Sequence, residues 1–119
     1  MKVFNNLEEM KPYYNEETNT YIFSENNRLI DIKIDFDLNI ECNINARNIN
    51  ALDIKAHNIF ARDIQAGNIN AWDINANNIS FYAVCFAYKT FVCNTIIGIR
   101  ENSKYFCLDS DVVIKSQKS

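Results

Sequence analysis

Between Asn43 and Ile79 an isoleucine returns every five residues, with an alanine two places after it at Ala46 through Ala76 and an Asn or Asp just before the next isoleucine. A helix repeats every 3.6 residues and a strand every two, so a long run with this period fits neither. On a helix, Ile44, Ile49, Ile54 and Ile59 would wander round the whole circumference. Within one unit, however, Ile and Ala stand two apart and point to the same side of an extended backbone. The pattern predicts short extended sides joined by corners, wound into a coil whose successive turns pair backbone to backbone. Four such sides would close a square turn of about twenty residues.

The inward residues follow. Ile44, Ile49, Ile54, Ile59, Ile64, Ile69, Ile74 and Ile79 are the large positions, and Ala46, Ala51, Ala56, Ala61, Ala66, Ala71 and Ala76 the small ones. One large and one small side chain per side is how a narrow core fills without overpacking. Past Ile79 the large residues Phe81, Phe86, Phe91 and Ile96 again stand five apart, which predicts a wider continuation. Upstream, residues 30–44 alternate strictly from Ile30 to Ile44, as a lead-in coil or a longer strand with Asp31, Asp35, Asp37 and Glu41 on its outer face. The solenoid is expected over residues 30–99, between caps at 1–29 and 100–119 that shield its raw ends. Leu7 to Lys11 suits a helical turn before Pro12, and Thr20 to Phe23 a short strand.

Composition sharpens this picture. The 119 residues include nineteen asparagines but only two glycines and one proline. Asn tolerates left-handed backbone angles and bonds its own backbone, so it is expected to turn the corners. The net charge is −3, falling as −5 over residues 1–43, zero over 44–80 and +2 over 81–119. Such a chain offers no basic patch for direct nucleic-acid binding. No apolar run approaches the length of a membrane span, and no basic, apolar leader opens the chain, so a cytoplasmic protein is expected. Cys42, Cys85, Cys93 and Cys107 lack metal-ligand spacing and read as reduced, buried thiols. Neither a metal nor a cofactor is expected.

The units resemble those of the pentapeptide-repeat proteins, through the Asn or Asp before each aliphatic residue: Asn48, Asp53, Asn58, Asp63, Asn68, Asp73 and Asn78. The small residue here comes two after the isoleucine rather than two before it. The resemblance implies an all-β fold, a single-stranded right-handed quadrilateral β-helix. Residues 79–110, "ISFYAVCFAYKTFVCNTIIGIRENSKYFCLDS", are similar to a group of short proteins from low-GC Gram-positive bacteria, mollicutes and their phages. That similarity implies a fold more than an activity.

On a four-sided coil, residues twenty apart share a column. Asn48 would lie over Asn68, Asp53 over Asp73, and Leu52 over Trp72, with Phe60 on the next face. Leu52, Trp72, Phe60, Asp53 and Asp73 are therefore the candidate partner-binding residues, Trp being favoured at interfaces. Asp31, Asp35, Asp37 and Glu41 form a candidate acidic face. His57, the sole histidine, has no nucleophile or acid paired with it in the pattern and reads as a corner residue. The aromatics Phe81, Tyr82, Phe86, Tyr88 and Phe91 read as core or cap packing. The expected function is a non-catalytic protein-binding or inhibitor module. Its genomic setting by resemblance would direct it at a host protein, as an anti-CRISPR or a DNA mimic does. The alternative is a structural, self-assembling coil that forms a homodimer.

Overall fold

Ile49 pairs with Ile64, Ile54 with Ile69 and Ile59 with Ile74, each across fifteen residues. Three sides of five residues, not four, therefore close each regular turn. In the computed structural model, which describes residues 1–115, the chain is an all-β solenoid of about five turns. The first face stacks Lys2–Phe4, Asp31–Ile34, Asn48–Ala51, the openings of the long strands Asp63–Asn75 and Asn78–Cys93, and Thr95–Gly98. The second stacks Leu38–Asn39, Asp53–Lys55, the middles of the two long strands, and Lys104–Cys107. The third stacks Thr20–Ile22, Asn43–Asn45, Asn58–Phe60, the ends of the two long strands, and Val113–Ile114.

The square coil was the wrong closure, and the outer residues show why. Asn and Asp alternate along the repeats. With an odd number of sides, each Asp meets an Asn on the neighbouring turn: Asp53 faces Asn68, Asn58 faces Asp73, and Asp63 faces both Asn48 and Asn78. Four sides would have stacked Asp on Asp, which like charges disfavour. The three-sided turn also departs from the four-sided coil that the pentapeptide-repeat resemblance implies.

Every Ile and Ala of the repeat is buried, and among the described residues no polar or charged residue is. The alternating stretch 30–44 is no single long strand. It breaks after Ile34 and again after Asn39, so it makes the first full coil. Asn does not turn the repeat corners through left-handed angles. Among the described residues positive φ occurs only at Asn19, Asn26 and Asn27, all ahead of the regular coils.

The two ends differ. At the N-terminal end a helical turn, Leu7–Met10, is capped by the Asn6 side chain, which accepts from the Glu9 amide at 3.1 Å. Phe4, Met10 and Phe23 fill the interior beneath the first coil with no exposed surface, and the Phe4 ring meets Tyr13 edge-on at 5.6 Å. At the C-terminal end the turns lengthen. Cys85 pairs with Ile69 and Phe91 with Ile74, so the register has slipped by one residue and then two. Phe81 takes the small position above Ala66, and Gly98 sits above Phe81. Phe86 turns outward, against the expected inward spacing, because Cys85 occupies the inward site. The segment expected as a C-terminal cap continues the ladder as a last coil.

Candidate interaction surface

The fifteen-residue turn redistributes the candidate residues. Leu52 stands at the corner between the first and second faces, where the Gly67 amide donates to its carbonyl at 2.6 Å. Trp72 stands at the corner between the second and third faces, with its amide bonded to the His57 carbonyl at 2.7 Å. Phe60 projects from the third face between Asn45 and Asn75. Leu52 and Trp72 therefore do not stack, and these three apolar side chains form no common patch. Asp53 and Asp73 are also separated, and each is engaged along its column. Asp53 accepts from the Asn68 amide and from Asn68 Nδ2, both at 3.1 Å. Asp73 accepts from the Thr90 hydroxyl at 2.8 Å.

The four acidic candidates are divided in the same way. Asp31 begins a first-face strand, Asp35 and Asp37 lie on the bend that follows, and Glu41 lies at the next corner. Arg47 donates to both Asp31 oxygens at 2.8 and 2.7 Å, and Asn48 Nδ2 adds a third bond at 2.8 Å. The Arg47 hydrogen bonds, then its charge, hold the Asp31 carboxyl below its ordinary range. No shared acidic face results.

What the fold does bring together is aromatic. The His57 ring lies flat against Trp72 from the preceding turn, with centroids 4.1 Å apart and planes within 8°. From the following turn Lys89 places its ammonium 5.1 Å from the Trp72 centroid, a cation–π contact. Next to this column, on the second face, Phe86 meets Tyr88 edge-on at 5.4 Å and stacks on Phe106 at 5.1 Å. Trp72 is 42% exposed, Tyr88 38% and Phe106 39%. A depression of about 180 Å³ opens beside Trp72 and Tyr88, with Glu41, Lys55, His57 and Asn70 in its wall. Apolar rings with a rim of both charges are the usual make-up of a protein contact surface.

Sequence reasoning selected Trp72 but missed Phe86, Tyr88, Lys89 and Phe106 as its neighbours. The signal for Phe86 was the size of the slip: at one residue rather than two, the site above Ile69 falls on Cys85 and Phe86 faces outward above Asn70. Phe106 carried no repeat signal, because the turn leading to it is stretched to twenty residues. Among the described residues no group of three His, Cys, Asp or Glu side chains gathers as metal ligands would. Burial pushes the Cys85 and Cys93 thiols up, away from the reactive thiolate. Among the described residues no helix is long and apolar enough to cross a membrane. No family model, curated protein or solved structure matches the chain.

Proposed function

We propose that the chain is a protein-binding module without chemistry of its own, and that it meets its partner through the aromatic surface on the second face. The observation that carries this reading is the cluster of Trp72, Tyr88, Phe86 and Phe106 with Lys89 and His57 packed on Trp72. Rings anchored on a ladder of paired strands lose little freedom on binding, which lowers the cost of association. Exposed Trp and Tyr side chains are the types most often found at binding hot spots.

The narrower reading is an inhibitor aimed at a host protein, such as an anti-CRISPR. Its support is the resemblance of residues 79–110 to short proteins of bacteria and phages. A DNA mimic has less support, because such a mimic needs dense acidic columns and the Asp columns here alternate with Asn.

The test is capture from nuclease-treated bacterial lysate on immobilised wild-type protein, beside a Trp72→Ala, Tyr88→Ala double variant whose melting matches wild type. One protein retained by the wild type and lost by the variant is the expected result. The same proteins in both lanes, or none in either, would sink the proposed surface.

A further inference from the structure

The last coil is the least enclosed part of the molecule. Its strands Thr95–Gly98, Lys104–Cys107 and Val113–Ile114 each pair with Asn78–Cys93 below and with no described strand above. Three strand edges are thus left open at one end, each with a row of unpaired N–H and C=O groups. The core beneath is also incompletely roofed. Phe81 and Phe91 are fully buried one turn down, but the inward residues of the last coil are not: Ile96 and Ile114 are half-buried, and Tyr105 is 42% exposed. Residues 116–119, Ser-Gln-Lys-Ser, lie outside the described residues and carry no apolar side chain.

We propose that this open end binds a second copy of the chain, tail to tail about a two-fold axis. The occupant follows from geometry and charge. Three edges arranged round a triangle are matched by another coil end of the same size, and a second copy supplies one. A two-fold axis lying in the end plane keeps the hand of the coil but reverses the direction in which the chain runs round that plane, so the facing strands run antiparallel and can form a ladder. Charge agrees. The last coil carries Arg100, Lys104 and Lys115 against Glu101, Asp109 and Asp111, three of each sign. A balanced surface can be complementary to itself, as a two-fold interface requires. The opposite end is filled by Phe4, Met10 and Phe23 and ends in the short, Lys-bearing strand Lys2–Phe4, which discourages further stacking. The assembly therefore closes as a dimer and does not grow into a filament. This inference is independent of the aromatic surface on the second face.

Sedimentation of the purified full chain over a wide concentration range tests it, together with hydrogen–deuterium exchange at the two extremes. The mass is expected to rise from 13.8 kDa to twice that value and stop. Amides of Thr95–Gly98 and Lys104–Cys107 are expected to gain protection with concentration, while those of Lys2–Phe4 do not. Tyr105→Lys should weaken the dimer by about tenfold or more, whereas Trp72→Ala should leave it unchanged. A monomer at every concentration, growth past the dimer, protection gained at Lys2–Phe4, or a Tyr105→Lys dimer of wild-type strength would overturn the proposal. Should Tyr105→Lys fail to fold, the exchange pattern of the wild-type chain decides alone. Failure of the lysate capture would not touch this result, since only purified protein is used.

Discussion

Asp53 Oδ1 accepts from both the amide and the side chain of Asn68 on the next turn, and Asn68 Oδ1 in turn accepts from the Val84 amide at 3.0 Å. Asn can play both parts because its side chain carries a donor and an acceptor. Asp lacks the donor. Asn68→Asp should therefore lower the melting temperature at pH 7, by like-charge stacking and a lost hydrogen bond together worth about 1–2 kcal/mol. Thermal melts of the variant beside wild type check this. Asp31 gives a pH signature. Its native pKa is depressed by Arg47, so its stabilising contribution is present above the unfolded carboxyl value and lost as pH falls through the native one. Melting should hold level from pH 7 to about 5 and drop below about 4, and Asp31→Asn should flatten that drop.

Each side of a regular coil buries one isoleucine and one alanine, and the strand ladder locks neighbouring coils in register. Ile64 lies between Ile49 and Ile79, fully covered by both. Ile64→Ala should leave a cavity costing about 2–5 kcal/mol, read by chemical denaturation. The C-terminal elements follow another volume rule. With Phe81 in a small position, the residue above it has no room, and a Cβ on Gly98 would run into the Ser103 side chain and lie 3.0 Å from the Phe81 ring. Gly98→Ala should cost about 1–3 kcal/mol by overpacking. The loss should appear as faster amide exchange in Thr95–Gly98, with exchange in Asn48–Ala51 unchanged.

At the scale of the molecule the solenoid, over the described residues, is sealed at its N-terminal end and open at its C-terminal end, and its thiols divide by depth in the core rather than along that axis. Cys85 and Cys93 are buried in the core, whereas Cys42 and Cys107 are partly exposed. A thiol-reactive dye added to the native protein should label Cys42 and Cys107 promptly, and Cys85 and Cys93 only as the chain unfolds. Labelling followed by peptide mass analysis assigns each site. Equal rates at all the cysteines would contradict the buried placement of Cys85 and Cys93. Aromatic residues cluster at the same open end, because the regular Ile–Ala filling gives way there to Phe81, Phe91 and Tyr105.

The five-residue period by itself determined the coil and the inward Ile and Ala columns, because side-chain alternation and volume act within a few residues, and local cap and proline signals gave the helical turn before Pro12. The alternation of Asn with Asp also held the number of sides, since only an odd number sets each Asp against an Asn. That constraint acts between residues fifteen apart, beyond the reach of a pattern read one unit at a time. Tertiary structure decided the rest. It separated Leu52, Trp72 and Phe60, joined Trp72 to Lys89 and Tyr88 across lengthened turns, and left the last coil with no strand above it among the described residues. The first outcome follows from the fifteen-residue closure, whereas the others depend on how many residues the C-terminal turns insert, a quantity set by how Phe81, Cys85 and Phe91 pack on the coil below and carried by no local repeat.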